Sequence, residues 1–303
     1  MPRLTVGLIT YNGAAHIRRA VDSILAQTFT DLELLIFDNA STDGTSEICE
    51  EYASADPRVR HVRHPETIPQ SANFRGVLLA AETELFMWAT DDDVRGPSFA
   101  ADCIEALDAH PDAALACTEA EFLSPDGSRE RARGTFTITG TPTDRVRAYF
   151  LNPRDSCRLF GVYRTERLKR AYPADVNVFG YDWLVVGLAM LEGDSIEVPS
   201  VELVRTANPP GKYFERYDRH FVREPGLIGR ASYLLPLLPL TRALKTYLPR
   251  RAWRAVRWRL LRLNLHQSLM LVRWKYPRSG GAFNAVRRID RALRRKDRGR
   301  HDA

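Results

Sequence analysis

Phe86-Met87-Trp88-Ala89-Thr90-Asp91-Asp92-Asp93-Val94 is an apolar run that stops at three consecutive carboxylates. Apolar residues without alternation predict a strand buried on both faces, as in a parallel sheet. Carboxylates at its C-terminal end would then fall in the crevice where open α/β sheets bind ligands. Three adjacent negative charges repel one another, so a fold that gathers them usually supplies a cation. Oxygen ligands with no Cys or His pair nearby suit Mg2+ or Mn2+, which take carboxylates together with substrate phosphates. The simpler alternative is a solvated acidic turn in which Asp93 caps the next helix.

Working back toward the N-terminus, Leu4-Thr5-Val6-Gly7-Leu8-Ile9-Thr10 reads as a first strand that ends at the polar turn Thr10-Tyr11-Asn12-Gly13. Ile17, Ala20, Val21, Ile24 and Leu25 follow at helical spacing. Leu32 to Phe37 is a second strand, closed by Asp38, and the polar loop Asn39 to Gly44 leads to a helix near Thr45. Val59 to Val62 is a short third strand. Ala72, Phe74, Val77, Leu78 and Ala81 then mark a helix over 70–81 that feeds the Asp triplet strand. Strand and helix alternating in this way predict a mostly parallel α/β sheet with right-handed crossovers.

These pieces together resemble the family 2 glycosyltransferases, which have the GT-A fold. The matching segments are Leu8 to Asn12, Ser23-Ile24-Leu25-Ala26-Gln27-Thr28, Phe37 to Thr45, the helix containing Asn73, and Asp91-Asp92-Asp93. The likeness is close over 3–110 and looser to about 205. It implies a GT-A, nucleotide-diphospho-sugar transferase-like domain over 1–220, its sheet flanked by helices, and a basic, largely helical C-terminal extension over 221–303. It further implies a nucleotide-activated sugar as donor, with Asp38 bonding the base and Thr10, Tyr11 and Asn12 lining the same pocket. A strand-end Asp held by local backbone is the simpler reading of Asp38. Asn73 is carried over as a donor-site residue. Arg75 either approaches the base or a phosphate or is a solvated helix-face arginine, and Asp43 is expected to order its loop.

The triplet is similar to the family's DxD element, whose carboxylate binds the divalent cation that bridges the diphosphate and acts as a Lewis acid. Three aspartates in a row leave the register open. Asp92 or Asp93 is expected to hold Mg2+ or Mn2+, and Asp91, with Asp92, to meet the donor through its ribose or a metal-bound water.

Beyond the triplet, a helix over 97–109 is expected, then strands over 113–117 and 119–123, and a charged solvated loop at Arg129-Glu130-Arg131-Ala132-Arg133. Phe160 to Tyr163 reads as a short strand and 196–205 as a late strand pair. Val178-Phe179-Gly180-Tyr181-Asp182-Trp183-Leu184 leads into residues at helical spacing, which puts Asp182 at a helix start as either a cap or a base. Relatives carry an acidic residue here, often Glu-Asp before an aromatic, that deprotonates the acceptor hydroxyl. Tyr181 replaces the Glu and Asp182 keeps the Asp position, so Asp182 is the expected general base. One base facing a leaving diphosphate implies in-line displacement with inversion. Many relatives follow with Arg-x-His, but Arg205-Thr206-Ala207 lacks the His, and Lys212, Tyr213 or His220 could substitute. A lid is expected over 211–217.

Composition adds a division of charge. From Pro225 to Ala303 there are 20 Lys and Arg against 3 Asp and Glu, whereas residues up to Glu224 hold 24 against 35. Two prolines interrupt 233–240, and 250–274 reads as a helix bearing Trp, Leu and Arg, with a further basic segment at 287–300. That helix suits an anionic membrane surface, or it packs on the acidic body. No nucleic-acid module is visible, which argues against nucleic acid. The four Cys are widely spaced, without a CxxC pair, and no signal peptide or transmembrane run is seen, so the expected location is cytoplasmic, with a peripheral seat at the inner face of the cell membrane as the alternative.

The expected activity is therefore a metal-dependent inverting glycosyltransferase acting on a lipid-linked acceptor or a cell-surface glycan. A sugar nucleotidyltransferase would open with a Gly-rich loop, which Gly13-Ala14-Ala15-His16 does not resemble. A non-catalytic adaptor docking to membrane through its basic tail is the rival from another class.

Overall fold

The computed structural model describes residues 2–153, 155–174, 177–207 and 235–275. The expected lid at 211–217, the substitutes Lys212, Tyr213 and His220, and the basic segment 287–300 lie outside them. The described residues divide into two compact units, 2–177 with 185–207, and 178–184 with 235–275. The segment holding Asp182 groups with the C-terminal helices.

The larger unit is built on a mixed sheet. β1 (Leu4–Thr10) is buried at every position and lies between two parallel neighbours, β2 (Leu32–Asp38) and β4 (Leu85–Thr90). β3 (Val59–Arg63) extends the parallel set beyond β2. Burial on both faces is why these strands read as unbroken apolar runs. α1 (Ile17–Leu25), α2 (Thr45–Ala55) and α3 (Gln70–Ala80) form the crossovers, and α1 buries Ile17, Ala20, Val21 and Ile24 as their spacing predicts. Trp88 is fully buried on β4, donates Nε1–H to the Phe74 carbonyl over 3.0 Å, and is ringed by Phe74, Phe86, Tyr163 and Tyr172.

After β4 the pairing turns mixed. β5 (Val94–Arg95), α4 (Phe99–Ala109), β6 (Ala113–Leu123), β7 (Arg129–Arg131), α5 (Pro142–Leu151), β8 (Val162–Arg164), α6 (Thr165–Ala171), α7 (Tyr181–Glu192) and β9 (Asp194–Thr206) follow in order. Across the sheet the strands run β3-β2-β1-β4-β8-β6-β9-β5, with β7 beside β6. β8 is antiparallel to β4 and β6, whereas β9 is parallel to β6.

Three local expectations change. The two strands expected over 113–123 are one, because a register shift at Thr118/Glu119 lets β6 keep pairing with β9. The late strand pair is likewise the single strand β9. The charged loop at 129–133 begins as β7, whose Arg129 and Arg131 pair with Glu121 and Glu119 on β6. Cross-strand charge pairing turned a solvated-looking run into an edge strand.

In the second unit, α8 (Leu238–Tyr247) starts with Pro239 in its first turn, and α9 (Arg250–Lys275) follows. Pro is accepted there because the first N–H groups of a helix have no intrahelical partner. Asn264, 3% exposed, joins the two helices by accepting from the Leu237 N–H at 2.7 Å and donating to Thr241 at 2.9 Å.

Candidate active site

In the order β3-β2-β1-β4 the chain moves outward from β1 through β2 and β3, then returns to the other side of β1. The strand order therefore reverses between β1 and β4, and loops leaving their C-terminal ends diverge into a crevice. Thr10 ends β1 and Asp91 follows β4 at this point. The Thr10 hydroxyl donates to Asp91 Oδ2 over 2.5 Å. Gly13 makes the approach feasible: a Cβ there would lie 2.2 Å from the same oxygen. Burial pushes the Asp91 carboxyl up to about 6, with Thr10 lowering it and Asp92 raising it again. Asp92 is shifted upward too, by burial first and then by Asp93.

The third aspartate has a different surrounding. Asp93 is 1% exposed, accepts from Arg205 Nε at 2.9 Å through Oδ2, and accepts from the Thr206 N–H at 3.2 Å through Oδ1. Arg205 stacks on Phe160 with its guanidinium 4.3 Å from the ring centroid and donates to the Asp155 carbonyl at 3.2 Å. Burial opposes its charge, but Asp93 and Cys157 beside it hold its pKa above the ordinary value. The Thr206 hydroxyl donates to the Asp92 carbonyl at 2.7 Å, and Arg19 approaches that oxygen at 3.4 Å. Asp93 thus fastens the acidic segment to β9, with both oxygens engaged.

The residues expected around the base arrange themselves similarly. Asp38 is fully buried: Oδ1 accepts from the Ser41 N–H at 3.0 Å and its hydroxyl at 2.5 Å, and Oδ2 accepts from the Ser46 hydroxyl. Arg63 holds Ser46 Oγ and the Ser41 carbonyl at 2.9 Å each, with its Nε 3.6 Å from Asp38. Both Asp38 oxygens thus help to hold this loop in place. Asn73, 2% exposed, bonds His64 Nε2 at 2.9 Å and the Phe37 carbonyl at 3.3 Å, so it too supports the site from behind.

The loops after β1 and β2 are laced together. Ser41 Oγ accepts from the Asn12 N–H, Asn12 Oδ1 from the Thr42 N–H, and Thr45 Oγ1 from the Gly13 N–H, each at 2.9 Å. Asp43 accepts from Thr45 and from the Ala14 N–H. Asn12 takes a left-handed φ of 53°, a conformation Asn tolerates better than most residues. Tyr11 projects from this lacing, 52% exposed. Arg75 is half-buried on α3, with no ion pair among the described residues.

Asp182 lies in the first turn of α7, where the helix dipole favours a carboxylate. Gly180 just before it has φ 79°, and Leu240 lies 3.2 Å from where its Cβ would be, so both conformation and space select glycine. Sequence reasoning missed the structural parts of Arg205 and Arg63. Each is an arginine at a strand end, with no local pattern to mark it, and its partner lies far off in sequence or across a turn.

Among the described residues no three His, Cys, Asp or Glu side chains are placed to share one ion. Asp91 and Asp92 nevertheless suit a hard cation. Both are hard oxygen donors whose charge is disfavoured in its absence, and Mg2+ commonly takes one or two carboxylates plus substrate phosphates.

Comparison with known proteins gives three findings. A family described as glycosyl transferase family 2 matches residues 5–170. A Mycobacterium tuberculosis (strain ATCC 25618 / H37Rv) protein, Rv1520, is 32% identical over 242 residues, covering 78% of this chain and 68% of its own. Among solved structures, S. aureus TarS has a TM-score of 0.59 at 17% identity over 89% of this chain, which spans only 55% of that TarS chain. A TarS 1–349 structure in complex with UDP-GlcNAc gives 0.57 at 16% identity, covering 97% of this chain and 92% of that one. The mannosyltransferase PcManGT from Pyrobaculum calidifontis, in complex with GDP-Man and Mn2+, gives 0.51 at 20% identity, covering 96% and 85%. At these identities the structural likeness speaks to the fold.

Proposed function

The chain belongs to glycosyl transferase family 2, and from that premise we propose that it transfers a sugar from a nucleoside-diphosphate donor to a hydroxyl acceptor, with inversion and with a divalent metal. The observation that carries this reading is the pairing of Thr10 with Asp91 at the β1–β4 reversal, with Asp92 beside it.

In this reading the donor's diphosphate lies at the ends of β1 and β4. Asp91, oriented by Thr10, accepts hydrogen bonds from the ribose. The exposed ring of Tyr11 offers a face for the base, on a loop fixed by Asn12, Ser41 and Asp38. Arg75, with no ion pair among the described residues, is available to a phosphate or the base. Asp92 is the carboxylate we assign to Mg2+ or Mn2+, since Asp93 is committed to Arg205. When bound, that cation would neutralise charge gathering on the departing diphosphate.

Asp182 acts as the base. It takes the proton of the acceptor hydroxyl as that oxygen attacks the anomeric carbon, and the bond from that carbon to the diphosphate breaks on the opposite side. A sugar hydroxyl is a weak nucleophile at neutral pH, so a positioned base is needed. The TarS complex with UDP-GlcNAc and the PcManGT complex with GDP-Man and Mn2+ support the donor class and the metal. The acceptor we favour is a lipid-linked or surface glycan, with the reaction at the cytoplasmic face of a membrane. The basic C-terminal sequence supports it, and no described helix is long and apolar enough to cross a bilayer.

Calorimetric titration with UDP, GDP and dTDP, each with Mn2+ and with EDTA, tests the donor site. Binding of one nucleotide that is lost in EDTA is expected. Binding of none would sink the proposal, and binding unchanged by EDTA would remove the metal from it. Asp182→Asn is expected to keep nucleotide binding and lower turnover by about 100-fold or more. Unchanged turnover would end the base assignment.

A further inference from the structure

α9 has two unlike faces. Near the end of the helix both Leu271 and Leu269 are buried, Leu269 on the side of Arg251 and Trp258. Over its first half Ala252, Val256, Leu260 and Asn264 are buried on one side, at about 100° per residue. On the opposite side lie Arg250, Arg251, Arg254, Arg257, Trp258 and Leu261, all exposed, with Trp258 at 59% and Leu261 at 40%. The Arg257 guanidinium sits 5.3 Å from the Trp258 ring centroid. Among the described residues no carboxylate lies within 4.0 Å of Arg250, Arg251, Arg254 or Arg257, and no Asp or Glu occurs anywhere from Leu238 to Lys275.

The buried stripe and the Arg-Trp face thus answer different needs. The first holds the helix in its unit. The second leaves four unpaired guanidinium groups and two large apolar side chains in water. An exposed Trp has no folding role that a polar residue would not fill as well, and four like charges on one helix face are mildly destabilising. An interface between water and lipid satisfies both features. Indole and leucine enter the region below the headgroups, while arginines on long stems bond the phosphates.

We infer that the outward face of α9, centred on Arg254, Arg257, Trp258 and Leu261, docks the protein onto a bilayer rich in anionic headgroups. The charge complementarity is one-sided. Arg supplies bidentate bonds to phosphate, each basic side chain near the surface strengthens binding about fivefold, and no carboxylate on the helix opposes it. A convex helix face with its apolar residues set among the arginines fits a planar surface better than the pocketed surface of a folded partner. The inference deepens the membrane setting of the proposed reaction, but it does not depend on the donor chemistry.

The test is co-sedimentation of the full chain with vesicles of phosphatidylcholine alone and of equimolar phosphatidylcholine and phosphatidylglycerol. The protein is expected to pellet only with the anionic vesicles and to be released progressively by salt. R251Q/R254Q/R257Q should weaken binding about 100-fold. W258S/L261S should leave salt-sensitive attraction but abolish the part that resists salt. Circular dichroism of both variants should match the parent, because every substituted residue is exposed. Equal binding to both vesicle types, no vesicle binding, or variants that bind as the parent does would overturn the inference. So would retention on duplex DNA or polyglutamate without vesicle binding. Sedimentation reads no turnover, so a failed transferase assay leaves this result standing, and the reverse also holds.

Discussion

Arg205 Nε donates to Asp93 Oδ2 over 2.9 Å, and this one pair ties the end of β9 to the acidic segment after β4. The carboxylate is 1% exposed, so the arginine satisfies a charge that would otherwise be stranded. Arg205→Met should cost about 3–5 kcal/mol of stability, because it leaves Asp93 buried and unpaired. Asp93→Asn in the same background should recover part of that. Chemical denaturation of the two single variants and the double variant measures the coupling, and additive losses would mean the pair does not act as a unit.

Asp92 makes no ion pair of that kind among the described residues, and burial first and then Asp93 disfavour its charge, with Thr90 and Arg205 opposing the shift. Asp92→Asn should therefore leave the denaturation midpoint unchanged or slightly raised, while metal-dependent nucleotide binding falls at least tenfold. The contrast with Asp93, where stability rather than binding fails, separates the metal ligand from the fastening residue. Mn2+ titration of both variants in the presence of nucleotide measures it.

Gly13 stands against the pinned carboxylate of Asp91. A methyl group there would sit 2.2 Å from Oδ2 and 2.8 Å from Thr10 Oγ1. Gly13→Ala is expected to push Asp91 away from Thr10, costing about 1–3 kcal/mol of overpacking strain and weakening nucleotide binding more than fold stability. If calorimetry of the variant matched the parent, the Thr10–Asp91 pair would have no part in donor binding.

His61 supplies a pH dependence. Its Nε2 is buried without a hydrogen-bond partner among the described residues, 4.0 Å from Asp38 Oδ2, with Arg63 nearby. Burial is the larger influence and lowers its pKa, although Asp38 opposes the shift. A His with a lowered folded pKa binds fewer protons folded than unfolded, so its contribution to stability declines as pH falls below the unfolded value of about 6.5. Stability should drop between about pH 7 and 5, and His61→Asn should flatten that slope. Denaturant midpoints across the range provide the measurement.

The sequence by itself determined the sheet's first half and the location of the site. Unbroken apolar runs such as Leu4–Thr10 and Leu85–Thr90 allow little except strands buried on both faces, and helical spacing at Ile17, Ala20, Val21 and Ile24 fixes the crossover between them. Polar residues ending such strands sit at their C-terminal ends, so the place of the Asp triplet was legible from local pattern, whereas Thr10 was marked by the family resemblance. Local pattern could not separate the three aspartates, because chemically identical neighbours differ only in what comes to meet them. Arg205 arrives from 112 residues away and ties Asp93 to β9. Asp38 and Asn73 likewise read as donor-site residues, and only the structure shows that Ser41, Ser46, His64 and the Phe37 carbonyl bond their polar atoms. Arg129–Arg131 stay exposed as their charge implies, but only the structure shows that they pair as an edge strand with β6, beside Glu119 and Glu121. Periodicity records which side of an element is apolar. Which buried charge meets which is set by long-range pairing, and only the tertiary structure decided that.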